Sequence, residues 1–250
     1  MPGAGARGGS SGARGAGLSV RRTAASVRAV PQVNRVTRFG LVNSYLVREG
    51  DGLTLIDTMV PRSASRMLAA SEELGAPIVR IVLTHAHGDH VGSLDELKGS
   101  LPDAEVIISA RDARLLAKDM SFDPGEPVDK LRGGYPGTET KPDRTVEGGE
   151  RIGSLEVVAT PGHTPGHIAL LDGRDRTVYC GDVFSSVGGV ATSANVHPVF
   201  PLALFTWHRS TDLESARALR ALDPATLAPG HGKAVDGPSE AMERAIARAE

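Results

Sequence analysis

Thr84-His85-Ala86-His87-Gly88-Asp89-His90 places three histidines and one aspartate within six consecutive positions, directly behind the largely apolar run Ile78 to Leu83. Neutral imidazoles and a carboxylate are the ligands that a borderline cation such as Zn²⁺ selects. Packed this closely without a cation, they would crowd polar groups that lack partners. Solvated loop histidines, the bland alternative, leave the clustering unexplained. His85, His87 and Asp89 alternate by two, so an extended segment projects all three to one side. His90 turns off where the chain bends into the amphipathic stretch Val91 to Leu97.

Three further segments carry single candidates. His163 lies in Thr160-Pro161-Gly162-His163-Thr164-Pro165-Gly166-His167, where the alternating run Leu155 to Ala159 hands over to a turn stiffened by proline and glycine. Thr177 to Asp182 reads as a buried strand ending in Gly-Asp, and Ala228-Pro229-Gly230-His231-Gly232 repeats the arrangement of strand, Pro-Gly and His. Each alone is loop punctuation. Taken in this order behind the first cluster, they resemble the metallo-β-lactamase-fold superfamily of hydrolases, whose signature is His-x-His-x-Asp-His, then a lone His, a lone Asp and a final His.

The resemblance covers about residues 32 to 250 and implies a glyoxalase II-like metal site. His85, His87 and His163 would hold one metal, Asp89, His90 and His231 a second, and Asp182 would bridge them. It also offers Asp57, at the end of Leu53-Thr54-Leu55-Ile56, as a carboxylate that hydrogen-bonds a ligand histidine. A helix cap before Pro61 is the competing reading of Asp57. The implied fold is α/β, a four-layer αββα sandwich, with a doubly wound sheet as the alternative.

The function expected from this set is a binuclear, zinc-dependent hydrolase with two Zn²⁺ per chain, iron or manganese being alternatives. Its substrate would be a small-molecule ester, thioester or lactone. A hydroxide held between the metals would attack the carbonyl, because metal binding lowers the pKa of water from 15.7 to roughly 7. Asp182 and Asp89 are the catalytic candidates, the first as bridge and the second steering a proton. The rival from a different class is a mononuclear iron oxidoreductase of the persulfide dioxygenase kind, and a third reading is a binder without catalysis. Asp182 counts against antibiotic hydrolysis, since true β-lactamases of this superfamily generally lack an aspartate at the bridge. The short stretch after His231 leaves no helical thioester-binding domain of the glyoxalase II kind.

Composition bounds the rest. The chain has 250 residues, 40% of them hydrophobic, and no apolar run near the roughly 18 residues of a membrane helix. Cys180 is its single cysteine, so the chain forms no internal disulfide, and a reducing, cytoplasmic setting fits. Two readings compete for Cys180, a structural core thiol and a thiol on the strand face near Asp182. Residues 1 to 30 hold seven glycines and five arginines and no acid, which reads as a disordered basic extension ahead of a domain over 31 to 250. Arg21-Arg22 hints at an export signal, but no apolar stretch follows. The remaining chain is mildly acidic, an unfavourable surface for nucleic acid.

Periodicity places strands at 32–38, 41–48, 53–57, 78–84, 105–109, 151–159, 167–172, 176–181 and 225–228. Helices are expected at 61–74, 91–98, 110–118, 211–222 and 238–249, the fourth opening with the capping-box form Thr211-Asp212-Leu213-Glu214. Two loops are candidate pocket walls: 120 to 143, with Phe122 and Tyr135, and 183 to 209, with Phe184, Phe200, Phe205, Trp207, His197 and His208. The alternative for the second loop is the core or a homodimer interface. His167 is expected to be a structural hydrogen-bonding residue beside the site.

Overall fold

The computed structural model describes residues 1–6, 8, 9 and 33–250. The chain divides into Met1–Val30 and Pro31–Glu250, and the elements below belong to the second unit. The disorder expected for residues 1 to 30 falls mostly outside the described residues.

The first half builds strands β1 (Val33–Arg38), β2 (Val42–Arg48) and β3 (Leu53–Ile56), helix α1 (Ala64–Leu74), strand β4 (Ile78–Val82), helices α2 (Gly88–Val91) and α3 (Leu94–Ser100), strand β5 (Glu105–Ser109), helix α4 (Ala110–Leu116) and strand β6 (Arg144–Val146). Its six strands form one sheet in the order β1-β2-β3-β4-β5-β6. The second half adds β7 (Arg151–Ile152), β8 (Leu155–Ala159), β9 (Ile168–Asp172), β10 (Thr177–Gly181), the small pair β11 (Phe184–Ser185) and β12 (Ala191–Thr192), helix α5 (Arg209–Ala221), β13 (Thr226–Pro229), β14 (Val235–Asp236) and α6 (Ser239–Ala247). The second sheet runs β14-β13-β10-β9-β8-β7.

Strict alternation along the strands decides how the layers stack. Tyr45, Val47, Ile56, Val82 and Ile107 of the first sheet share one buried cluster with Leu155, Val157, Ile168, Leu170 and Tyr179 of the second, the seam between the sheets. Their neighbours in sequence point the other way. Leu46, Leu55, Ile81 and Val106 pack against Met67 of α1, Leu97 of α3 and Leu115 of α4. Ala169, Val178, Cys180 and Leu227 pack against Ala216 and Leu219 of α5 and Met242 and Ala245 of α6. Helices therefore cover both outer faces, giving the four-layer αββα sandwich; a doubly wound sheet has no such seam.

The sheets are also pinned to each other at one edge by main-chain bonds, Ile168 N to Thr84 O at 2.9 Å and Asn43 N to Gly230 O at 2.9 Å. β3 and β4 run parallel, and β8, β10 and β13 share one direction through the antiparallel β9. The loops after β4, β8, β10 and β13 carry His85, His163, Asp182 and His231.

The structure corrects several boundaries. The strand expected at 151–159 is a hairpin broken at Gly153, whose φ of 58° is the left-handed turn. The single helix expected at 91–98 is two, because the chain leaves helical geometry at Ser93, with φ −107° and ψ 15°, just after Gly92, where a Cβ would lie 2.5 Å from a Pro61 ring carbon. α5 opens at Arg209 rather than at a box on Thr211. The preceding main chain is bound instead, Trp207 N to His163 O at 3.0 Å and His208 N to Gly162 O at 2.9 Å. The three-residue β6 and the two-residue strands are too short to show a period. Among the described residues, no helix is long and apolar enough to cross a membrane.

Candidate metal centre

All seven sequence candidates converge. Ligand atoms of His85, His87 and His163 lie within 4.8 Å of one another, as do those of Asp89, His90 and His231, and Asp182 joins His85 and His90 in a third such group. In the first group, His85 Nε2 is 3.1 Å from His87 Nδ1, which is 3.0 Å from His163 Nε2. In the second, His231 Nε2 is 3.2 Å from Asp89 Oδ2, and His90 Nε2 is 3.9 Å from the same oxygen. Asp182 stands between them: Oδ2 is 3.4 Å from His163 Nε2 and 3.2 Å from His231 Nε2, and Oδ1 is 3.3 Å from His90 Nε2.

The ring nitrogens facing away from the cluster are mostly engaged, which orients the rings. His85 Nδ1 lies 3.0 Å from the Thr84 hydroxyl, and His87 Nε2 lies 2.9 Å from the Arg132 carbonyl. His163 Nδ1 is 3.1 Å from Thr206 Oγ1, whose own proton has the Ser193 carbonyl as acceptor at 2.9 Å. His163 is therefore the donor, and its Nε2 keeps a lone pair toward the cluster. Asp57 Oδ2 lies 2.8 Å from His90 Nδ1 and accepts from the Thr84 hydroxyl, while Oδ1 accepts from Thr84 N at 2.7 Å. That is the supporting-carboxylate place for Asp57; the residue ahead of α1 is Ser63. His231 differs, with a buried Nδ1 that has no partner. Its loop is held through main chain: Asn43 Nδ2 donates to the Pro229 and Gly232 carbonyls at 2.9 and 2.7 Å, and Tyr45 OH donates to Pro229 O at 2.8 Å.

Asp112 was invisible to sequence reasoning. Fully buried in α4, its Oδ2 accepts from Ala86 N at 2.9 Å and from the Thr164 hydroxyl at 2.8 Å, and Oδ1 accepts from Gly166 N at 2.8 Å. One carboxylate thus ties the segment carrying His85 and His87 to the turn carrying His163. Burial pushes its pKa up to about 6, and those donors counter only part of the cost. Within Ala-Arg-Asp-Ala it reads as an ordinary helical acid, so no local signal marks it.

Electrostatics separate the two groups. Burial, reinforced by neighbouring imidazoles, holds His85 well below the ordinary imidazole pKa; burial does the same to His163 and lowers His87. These rings are neutral, as metal ligands must be. Burial also opposes charge on His90 and His231, but the carboxylates of Asp182, Asp57 and Asp89 outweigh it at His90 and hold it well above its ordinary value. Asp182 and Asp89 raise His231 to about 9. The metal-free protein thus draws protons to the place where carboxylates converge. Asp182 Oδ1, His90 Nε2 and His231 Nε2 are buried without a hydrogen-bond partner. Buried ligand atoms left without partners around gathered negative charge fit a pair of divalent cations, which would take the place of those protons.

The remaining candidates sort themselves. His167 is buried, with Nδ1 2.8 Å from Thr160 Oγ1 and Nε2 accepting from Asp182 N at 3.1 Å; burial lowers its pKa to about 3. It holds the main chain of Asp182, the structural role expected of it. His197 and His208 stay outside the cluster. Cys180 lies in the α5 and α6 core, its pKa raised by burial, and not on the metal side, because the register shifts after Tyr179 and breaks the alternation toward Asp182. Both candidate loops wall the site. Gly133, Gly134, Leu202 and Phe205 line a cavity of about 290 Å³ with His87, Asp89, His163 and Asp182. The Tyr135 ring packs 4.8 Å from His87, and the Phe200 ring 4.8 Å from His231.

The sandwich and its edge cluster define a class that comparison bears out. The family model of the metallo-beta-lactamase superfamily matches residues 37–231, and the chain belongs to that superfamily. The uncharacterized protein YobT of Bacillus subtilis is 46% identical, covering 83% of this chain and 90% of its own length. The probable metallo-hydrolase YflN of the same organism is 28% identical over 88% of this chain and 91% of its own length. Hydroxyacylglutathione hydrolase of Rhodospirillum rubrum is 38% identical over 51% of this chain, which spans only 42% of that enzyme. Among solved structures, TTHA1623 in a di-iron-bound form superposes with a TM-score of 0.64 at 29% identity, covering 84% of this chain and 97% of that one.

Proposed function

We propose that this protein is a binuclear metal-dependent hydrolase of a small ester, thioester or lactone, working in the cytoplasm on a small molecule rather than on nucleic acid. His85, His87 and His163 would hold one cation, Asp89, His90 and His231 the other, and Asp182 both. The observation that carries this reading is the place of Asp182, within 3.4 Å of ligand nitrogens from both groups. When bound, such a pair supplies Lewis acidity toward a carbonyl and a lowered pKa for water. The chain's own residues do the rest. His167 holds the main chain of Asp182, Thr206 and Asp57 set ring orientation, and the two loops shield the cavity from bulk water. Asp89, whose side chain is 39% exposed beside the cavity, is the carboxylate placed to pass a proton between the reacting centre and solvent.

We propose zinc as the native pair, and the di-iron form of a relative makes metal identity the first measurement. A mononuclear iron oxidoreductase would leave Asp89 and His231 without a metal to hold, whereas here they converge. Metal analysis of the purified protein with an ester, thioester and lactone panel tests the reading. About two ions per chain with chelator-sensitive hydrolysis is expected. About one iron with thiol-dependent oxygen uptake would overturn it.

A further inference from the structure

Four of the eight large apolar side chains that stand open to solvent among the described residues fall within ten positions: Val196, Val199, Leu204 and Phe205, 48% to 62% exposed. Such concentration on a surface marks a place that binds something. Phe205 belongs to both this set and the cavity over the metal cluster, whose apolar wall it forms with Leu202. Asp89 and Asp182, both in the cluster, are the charged carboxylates lining that cavity, and no lysine or arginine lines it. Arg132 meets the site through its carbonyl, while its guanidinium lies 3.9 Å from Asp129. A substrate carboxylate seated away from the metals would find no lysine or arginine among the lining residues to pair with. At about 290 Å³ the cavity sits at the small end of ligand pockets, which run to about 300–1,000 Å³.

We propose that the acyl part of the substrate is an uncharged hydrocarbon chain of several carbons, seated on Leu202 and on Phe205, which is half exposed and carries the seat outward to the surface. This rests on the hydrolase reading of the same site. Water adds across the acyl bond: the carbon–oxygen or carbon–sulfur bond breaks, the acyl carbon takes the hydroxyl, and the alcohol or thiol leaves with the proton. Phe205 and Leu202 are then specificity residues, their contribution growing with each methylene buried.

The test uses the metal-loaded full chain with straight-chain nitrophenyl esters from acetyl to octanoyl, alongside the succinyl half-ester. Burial of one methylene predicts that kcat/KM rises about fourfold per added carbon until the chain reaches the rim. The succinyl half-ester should be at least tenfold poorer than the butyryl ester, which matches it in length. Leu202→Ala combined with Phe205→Ala should flatten the rise. Binding of uncleavable N-methyl alkanamides of the same acyl lengths, followed by calorimetry, should tighten by the same factor per carbon.

If no ester is cleaved but amide affinity climbs with chain length, the hydrolase reading fails and the apolar seat stands. If esters are cleaved with a flat series, or the succinyl half-ester is preferred, the seat is wrong and the hydrolase reading survives. A flat series together with a dimer that Leu204→Glu turns into monomers would assign the patch to a second copy and overturn the proposal.

Discussion

The two ligand groups sit side by side yet are built on opposite principles. His85, His87 and His163 are braced by uncharged partners, two hydroxyls and a carbonyl, and burial keeps the rings neutral. His90 and His231 are surrounded by the acids Asp57, Asp89 and Asp182, which pull their pKa values up in the metal-free chain. The first group is a preformed, electrically neutral nest; the second is a negative one that needs a cation or protons to balance it. The contrast implies that loops and helices govern binding at the first, and charge governs it at the second.

The substitution with the largest expected effect abolishes the contrast itself. Asp182→Ala removes the group shared by both halves, so at least one ion should be lost and turnover should fall at least a hundredfold. Unchanged metal content and rate would break the bridge assignment. Next come two substitutions that should separate the halves. Asp112→Asn puts an amide donor where only donors point at it, loosening the tie between the first group's segments. Affinity at that site should fall about 10- to 100-fold while the second keeps its own. Asp57→Asn should do the reverse through His90. Stepwise titration with a chromophoric chelator reads both, and equal loss at both sites in either variant would refute the division.

Acid–base behaviour sharpens the contrast further. His90 and His231 have folded pKa values above the unfolded 6.5, so the stability they lend the metal-free chain is full below pH 6.5; the part from His231 is lost as pH rises through about 9, and the part from His90 as pH rises through its own raised pKa. His85 and His163, lowered by burial, are neutral in the folded chain, and above about pH 7.5, where the unfolded rings have also lost their protons, they contribute nothing. The melting temperature of chelator-treated protein should therefore drop by several degrees between about pH 7.5 and 9. Metal-loaded protein should not share the drop, because ligation has already displaced those protons. A metal-free melting temperature that rises over this range contradicts the charged character of the second group. Thr206→Val is the mildest test. It costs His163 one neutral hydrogen bond, so site-one affinity should weaken about tenfold or less, with the cavity wall intact.

Much of the site was legible because ligands announce themselves by residue type and spacing. His85-x-His87-x-Asp89-His90 is short, local and chemically redundant for any purpose but a cation, and the strand-then-Pro-Gly-His form repeats at His163 and His231. The seam and both outer layers were legible for a similar reason, since period-two alternation survives in single strands. What stayed hidden acts across distance. Asp112 matters only because α4 packs behind two loops that are 26 and 52 positions away in sequence. Asn43 and Tyr45 brace the His231 loop from 186 and 184 positions away. The capping box at Thr211 was overridden because the chain ahead of it is bound to the His163 turn, a tertiary contact that moved the helix start to Arg209. Cys180 keeps the outer face of Val178, as its core reading expects, and it is Asp182 that leaves that face, past the register shift and the positive φ of Gly181.

The linear chain determined which atoms could bind cations and which faces must be buried, because ligand chemistry and hydrophobic periodicity are properties of residues and their near neighbours. Only the tertiary structure decided that Asp182 reaches both groups, that one half is neutral and the other acidic, and that Leu202 and Phe205 wall the cavity. Distances across loops, burial and the resulting shifts in proton affinity arise when separate strands end at the same edge, and no stretch of sequence contains them.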